Sequence, residues 1–554
     1  MRVLICALNS KYIHSSLAPW YLCASVEKNV NTAKCTVYES TINVKIEKII
    51  EEICSHNFDL IGFSTYIWNK DYVIEIAKRI KKIRNCVVVL GGPEVSYNAE
   101  EVLDKHEFVD YILSGEGEES FARLVKGEKP QEIEGLCYRE NGKIIVKPPA
   151  ILQASPPNPY TDEYFKNLNG RIAYIETSRG CPFRCAFCLS GRCGGVRFFD
   201  INEAKDNILK LAKSGTKTIK FIDRTFNADR KRARELFEFI IDHFREKNEG
   251  RVCFHFEIEG ELIDEETLSI LKKAPKGLIQ FEIGIQSFNE KTLEAINRKT
   301  NLPKLVENIK KIIEMGNIDV HVDLIAGLTY ESLASFEKGF NFAFSLRPNM
   351  LQLGFLKLLH GADMRENKEK YPCVHFDSTP YEVKSTSWMS EAELKKLHLL
   401  EDVFEKAYNS NRFKRTLNYI FSLLENPFLV FVDFSNYVNE SKIKNTLDDF
   451  SKALFDYFSS FDVIDKGVLR DKMVIDRLSN CYMGELPEFL KIHSPIIKKV
   501  LLELDRNPET KRKKGVKRRA TLLSSQSKLI YVDYCDSNKL EKTFKINEIF
   551  INLD

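Results

Sequence analysis

Four cysteines fall within thirteen residues in the stretch ETSRGCPFRCAFCLSGRC, which runs from Glu176 to Cys193. The spacing Cys181-x3-Cys185-x2-Cys188 begins directly after RIAYIETS, an apolar run that reads as a strand. Three thiolates on one loop can each hold one iron of a 4Fe-4S cluster and leave the fourth iron open to another ligand. Two other chemistries stand beside this one. A structural zinc site takes four ligands in two spaced pairs; Cys193 could supply a fourth ligand, but the second pair is missing. A thiol–disulfide pair needs a single Cys-x-x-Cys at a helix start, not three cysteines on a loop after a strand.

The rest of the composition sets the setting for that loop. The chain has 554 residues, enough for about three or four domains. Hydrophobic residues make up 44% and charged residues 29%, a globular profile, and the net charge of +3 does not announce a nucleic-acid partner. The start, MRVLICALNSKY, has too short an apolar run for a signal peptide, and no segment approaches the roughly 20 apolar residues that cross a bilayer. The expected location is cytoplasmic, with no membrane partner. There disulfides rarely persist, so a cysteine cluster reads as a metal or catalytic site. Most of the 14 cysteines, among them Cys6, Cys23, Cys35, Cys54, Cys86, Cys137 and Cys253, lie singly in apolar runs and read as small buried hydrophobes.

The elements that must position the loop follow from periodicity. Residues 1–130 alternate the apolar runs RVLICA, CTVYES, DLIGFST, CVVVLGG and VDYILSG with amphipathic stretches, which predicts a doubly wound, flavodoxin-like parallel sheet. Ligands in such sheets sit outside the strand carboxyl ends. Asn9, Ser10, Ser64, Thr65, Gly91, Gly92, Gly115, Glu116, Gly117 and Glu118 fall there, although tight turns use glycine equally well. Residues 131–168 read as a hairpin around Asn141-Gly142 and a Pro-rich linker. Residues 169–390 hold six more β/α units, starting at RIAYIETS and continuing through TIKFID, VCFHFEI, IQFEIGI, IDVHVDLIAG and NMLQLGFLK. They predict a partial (β/α)6 barrel with its site at the strand carboxyl ends. Residues 391–554 read as a mostly helical domain of unknown role, closed by SKLIYVDYCDSNKLEKTFKI as two strands about a turn. The fold class is α/β.

Cys-x3-Cys-x-aromatic-Cys after the first strand of a six-unit barrel, with Phe187 at the aromatic position, resembles the signature of radical S-adenosylmethionine (SAM) enzymes. The resemblance implies that Cys181, Cys185 and Cys188 ligate a 4Fe-4S cluster that binds SAM. EIGIQSFNEKTLEAINRKT is similar to the family's fourth strand and following helix, which implies that Gln286, Ser287 and Arg298 face SAM. HVDLIAGLT resembles the fifth-strand motif, which puts Asp323 and Gly327 on the adenosine pocket, and FHFEIEG puts Glu257 at a ribose-binding position. The family's small-residue motif after the second strand is replaced by FIDRTFN, with Asp223 and Thr225 the nearest candidates for the methionine amino group.

GFSTY, LGGPE and GEGEESF resemble the cobalamin-binding domain that precedes the barrel in one branch of the family, so cobalamin is the third implied cofactor. The Asp-x-His-x-x-Gly loop that supplies an imidazole to cobalt is absent, and His14 in LNSKYIHSSLAP reads as a loop hydrogen-bonding residue. LQLGFLKLLHGADM and TPYEVKSTSWMS resemble a subgroup with an uncharacterised carboxyl-terminal domain of the DUF4080 type; there Tyr381-Glu382 closes the site or acts as a structural latch. The resemblance implies methylation of an unactivated carbon of an unidentified organic substrate, with ferredoxin or flavodoxin as one-electron reductant. A cyclase or rearrangement enzyme is the alternative. RNA modification or binding ranks third, on KRKKGVKRRA, which carries seven basic residues in ten but no aromatic to stack a base.

Overall fold

The protein is described by a computed structural model over residues 1–192, 194–245, 252–444, 446–481, 485–525, 527–534, 537–538 and 543–551. Strand β1 (Arg2–Asn9) lies between β2 (Lys34–Thr41) and β3 (Leu60–Ser64), with β4 (Val87–Gly91) and β5 (Tyr111–Leu113) beyond β3, all parallel. Val3 through Asn9 are all buried, because a central strand is covered on both faces. Alternation divides them. Val3 and Ile5 join Tyr21 and Val26 of helix Ala18–Asn29 and Phe121 of helix Glu118–Lys126, whereas Leu4, Cys6 and Leu8 join Ile49, Ile53, Val73 and Ile76 of helices Ile46–Ser55 and Lys70–Ile83.

The predicted hairpin forms as β6 (Leu136–Glu140) and β7 (Lys143–Ile145), with Asn141 and Gly142 at φ 50° and 75° in the turn. It is not part of a separate linker. It pairs antiparallel with β5 and extends the first sheet to seven strands.

The second sheet starts at β8 (Ala173–Ile175). A short ladder, β9 (Ser178–Arg179) with β10 (Arg197–Phe198), closes the base of the cysteine loop. Strands β11 (Thr218–Phe221), β12 (Cys253–Ile258), β13 (Ile279–Gln286), β14 (Asp319–Ala326) and β15 (Met350–Phe355) continue from β8 in parallel sequence. The order β15-β14-β13-β12-β11-β8 does not close on itself, so the six units form a partial barrel. On β13, Ile279, Phe281, Ile283 and Ile285 are buried under the helices; Gln280, Glu282, Gly284 and Gln286 alternate with them and face the lumen. Asp200, Asp229, Asp264, Asn301 and Ser332 cap the barrel helices, each accepting from the backbone N–H three residues on.

After β15 come a hairpin, β16 (Cys373–His375) with β17 (Val383–Thr386), and then helices. Phe340 and Phe344 of barrel helix Leu333–Ser345 meet Phe404, Phe428 and Phe431 of the following helices, so the carboxyl-terminal region packs on the barrel. Its strands are β18 (Arg518–Leu522) and β19 (Lys528–Asp533), the small ladder of β20 (Ser537–Asn538) with β21 (Thr543–Phe544), and β22 (Asn547–Phe550) on the far side of β19. Most of the predicted terminal turn lies outside the described residues. Among the described residues, no helix is long and apolar enough to cross a membrane.

Candidate functional site

Cys181, Cys185 and Cys188 are half-buried free thiols on the loop that leaves β9. Backbone bonds fix the loop at several points: Ala186 donates to Ile296 at 2.8 Å, Met364 donates to Ala186 at 3.0 Å, and Cys188 donates to Cys185 at 3.0 Å. Gly180, at φ 97°, lies so close to the strand returning at Gly195 that a Cβ would stand 2.0 Å from its carbonyl oxygen. Polar groups already face the sulfurs. Thr225 Oγ1 is 3.3 Å from Cys181 Sγ, Ser190 N–H donates to Cys188 Sγ at 3.4 Å, and Arg298 Nη1 donates to Cys185 Sγ at 3.8 Å. Burial pushes the Cys185 thiol up, and Arg298 draws it back down. No group of three or more His, Cys, Asp or Glu among the described residues converges on a single ion. Three thiols on one loop, each with its own polar neighbour, are a donor set that fits a multi-iron cluster taking one thiolate per iron. Phe187 packs half-buried on the core, and Cys193 lies outside the described residues.

The barrel mouth beside this loop is polar. Glu257 pairs with Lys220 at 3.5 Å and Arg224 at 3.7 Å. Below it, Lys220 and His255 approach Glu282 at 3.1 and 2.9 Å; burial works against that carboxylate, yet His255 and Lys220 hold it down at about 2. Asp323 Oδ1 is buried without a hydrogen-bond partner among the described residues. Burial first, then Glu282 and Glu257, push its carboxyl up to about 8. Gln286 ends β13 at φ 72° with its amide folded over Gly284, where a Cβ would be 2.0 Å from Nε2.

Two expected contacts at the mouth are corrected. Asp223 is 1% exposed, and its oxygens accept from Thr177 N–H at 2.8 Å, Thr177 Oγ1 at 2.6 Å and Ser178 Oγ at 2.8 Å, so it braces the strand end instead of presenting a free carboxylate. Ser287 turns away to Glu331 and caps Asn289 N–H at 2.9 Å. Two residues that sequence reasoning missed are Arg224 and Glu259. Glu259 has the lumen-facing parity of Glu257, a period-2 signal that could have found it. Arg224, directly after Asp223, required the tertiary arrangement.

The first sheet's carboxyl edge meets this mouth. Thr65 Oγ1 there is buried without a hydrogen-bond partner among the described residues, Ser64 is buried beside it, and Ser10 is half-buried. Tyr12, Ile13 and Trp68 expose 68%, 48% and 42% of their surface on the loops after β1 and β3. Other edge positions serve backbone packing. A Cβ on Gly92 would stand 2.4 Å from Thr65 O and one on Gly115 would stand 2.3 Å from Ala150 O, so both lie close to protein backbone and not to an open ligand space. A Cβ on Gly91 would meet Leu113 O at an ordinary 3.7 Å, and one on Gly117 would meet Leu22 Cδ2 at a tight 3.3 Å. Glu116 is also reassigned: it accepts from Arg197, from Arg179 at 3.1 Å and from Leu152 N–H at 2.9 Å. His14 Nδ1 lies 2.7 Å from the Tyr174 hydroxyl, as a loop hydrogen bond. Tyr381 is buried, bound to Glu94 and to Lys70 Nζ at 2.6 Å, and Glu382 pairs with His398 at 2.7 Å, which makes this segment a latch on the first domain.

Arg179 ties the parts together: two residues before Cys181, it pairs with Glu116 at 3.1 Å and Glu118 at 2.9 Å at the first sheet's carboxyl edge and with Glu176 at 2.7 Å after the first barrel strand.

Comparison with known proteins agrees with this layout. Three family models match in series: the B12 binding domain over residues 3–125, the radical SAM superfamily over 175–343, and a protein family of unknown function, DUF4080, over 369–548. The chain thus carries, in order, regions that match a cobalamin-binding domain, the radical SAM superfamily and DUF4080. An uncharacterized methyltransferase of Pyrococcus horikoshii is 28% identical over 286 residues, covering 49% of this chain and 60% of the relative. The anaerobic magnesium-protoporphyrin IX monomethyl ester cyclase of Cereibacter sphaeroides is 25% identical over 349 residues, covering 60% of this chain and 56% of the relative. The matched segments thus span under two thirds of these relatives' lengths. The solved structure of the cobalamin-dependent SAM radical enzyme OxsB, with aqua-cobalamin and SAM bound, shares the fold at a TM-score of 0.60 and 15% identity, covering 92% of this chain and 80% of that one.

Proposed function

We propose that this protein is a cobalamin-dependent radical SAM enzyme that methylates an unactivated carbon of an organic substrate. The observation that carries the reading is that Arg179, two residues before Cys181, pairs with Glu116 at 3.1 Å and Glu118 at 2.9 Å at the first sheet's carboxyl edge and with Glu176 at 2.7 Å at the barrel mouth. When bound, the cluster with SAM supplies a hydrogen-abstracting radical and cobalamin supplies the methyl group. The chain's own residues do the rest. Cys181, Cys185 and Cys188 hold the cluster. Glu257, Gln286, Arg298 and Asp323 line the mouth for SAM, and Asp323, protonated at neutral pH, can donate to a ligand oxygen through the oxygen that has no partner. Thr65, Ser64, Tyr12, Ile13 and Trp68 offer the edge for cobalamin. Arg179 and Glu116 keep the cluster loop against that edge and help keep water from the space between.

The reductant is a ferredoxin or flavodoxin and the setting is the cytoplasm. Cyclisation is the second reading, because the cyclase from Cereibacter sphaeroides is about as similar as the methyltransferase relative. RNA recedes: Arg518 is tied to Asp533 at 2.6 Å and Arg519 donates to Cys481 O at 3.1 Å, so part of the basic run is structural.

The test is anaerobic incubation of cell extract with the reconstituted protein, a reductant and methyl-labelled SAM. S-adenosylhomocysteine and a product one methyl group heavier are expected only with cobalamin loaded. Equal formation of both by cobalamin-free protein overturns the reading, and a product with no added methyl group selects the cyclase alternative.

A further inference from the structure

Arg298 follows helix Glu290–Ala295, and its backbone N–H closes that helix on Leu293 O at 2.8 Å after Asn297 turns at φ 56°. The turn sends the side chain inward, where it is 9% exposed, against Glu259 at 4%. Nη2 donates to Glu259 Oε2 at 2.7 Å and to Gly284 O at 2.5 Å. The ion pair thus uses one nitrogen and leaves Nη1 for Cys185 Sγ at 3.8 Å. Glu259 is itself clamped: its N–H donates to Asn227 Oδ1 at 2.9 Å and its carbonyl accepts from Asn227 Nδ2 at 2.8 Å. Arg298 Nε and Glu259 Oε1 are buried without a hydrogen-bond partner among the described residues.

We propose that Arg298 and Glu259 form a buried charge couple that sets the reduction potential of the cluster through Cys185, with Glu259 as the positioning residue. The proposal rests on the reading that the three cysteines hold a 4Fe-4S cluster. Cluster potentials depend on nearby charge and on hydrogen bonds to the sulfurs, because reduction adds negative charge. A guanidinium against a ligating sulfur favours the reduced form and raises the potential; the carboxylate behind it partly cancels that effect. Screening is weak because both groups are buried. Arg224 at the barrel mouth keeps 55% of its side chain exposed, so solvent damps its influence.

The two members therefore have opposite signs, which a merely structural pair does not. The experiment is an electron paramagnetic resonance redox titration of the reconstituted full-length protein without SAM, with iron content read in parallel. Arg298→Gln shifts the midpoint to lower potential, Glu259→Gln shifts it to higher potential, and Arg298→Lys, which keeps the charge, restores most of the loss. Glu259→Gln is isosteric and decides the question even if Arg298→Gln takes up little iron. An unchanged or lowered midpoint in Glu259→Gln overturns the proposal, as does an unchanged midpoint in Arg298→Gln, which would leave Arg298 a role toward SAM alone. If wild type takes up no iron, the cluster reading itself fails.

Discussion

Arg179 Nη2 lies 2.9 Å from Glu118 Oε1, a contact that joins strand β9 to a helix of the first domain. Arg179 stands two residues before Cys181, and Glu118 opens the helix after β5. The same guanidinium reaches Glu116 at 3.1 Å and Glu176 at 2.7 Å, so one cation holds the cluster loop, the first strand of the barrel and the edge of the first sheet together.

Arg179→Met should therefore cost stability and alignment at once. Removing one partner of a buried ion pair costs about 3–5 kcal/mol, because the remaining charges stay desolvated. Denaturant unfolding is expected to show a loss of that order. A loss no larger than that of an exposed pair would mean that the network does not couple the sheets.

The cysteines divide by role. Cys181→Ala, Cys185→Ala and Cys188→Ala are each expected to abolish an iron content of about four per chain and its visible absorption, whereas Cys193→Ala is expected to keep both. Full iron in Cys185→Ala would remove the assignment.

Asp323 predicts a pH dependence. Its carboxyl is pushed up to about 8 in the fold, against roughly 3.9 in an unfolded chain. Below about pH 4 both states are protonated and the group contributes nothing. As pH rises from about 4 to about 8 the unfolded state releases its proton while the fold retains it, so stability falls; above that the loss is complete. Asp323→Asn should gain on wild type across this window when urea unfolding of the ligand-free proteins is followed against pH. Parallel curves would refute the raised pKa.

His14 is expected not to be a cobalt ligand, since Nδ1 lies 2.7 Å from Tyr174 and its carbonyl accepts from Asn9 at 3.1 Å and Arg171 at 3.1 Å. With cobalamin loaded, the cobalt(II) electron paramagnetic resonance spectrum should lack nitrogen superhyperfine splitting, with and without His14→Ala. Splitting that vanishes in the variant would make His14 the ligand.

Much of this protein is determined locally, and those parts were readable from the chain. Six β/α units follow from apolar alternation, polar loops and Asp, Asn or Ser caps, all of which act within a few residues. The three cysteines share one loop, so their spacing alone brings them together. The turn at Asn141-Gly142 is equally local, but its sheet is not: a hairpin signal states that two strands pair, not that β6 then finds β5. The same limit separates the expected contacts from the observed ones. Residue type and strand parity place Glu257 and Asp323 toward the lumen, yet they do not reveal that Asp223 is taken by Thr177, that Glu116 answers Arg179, or that Arg298 turns to Cys185. Those partners lie 46, 63 and 113 residues apart. Charged and hydroxyl groups accept many partners with similar energy, so the choice among them was made only by the docking of the first sheet on the barrel and by the closure of the barrel's own loops.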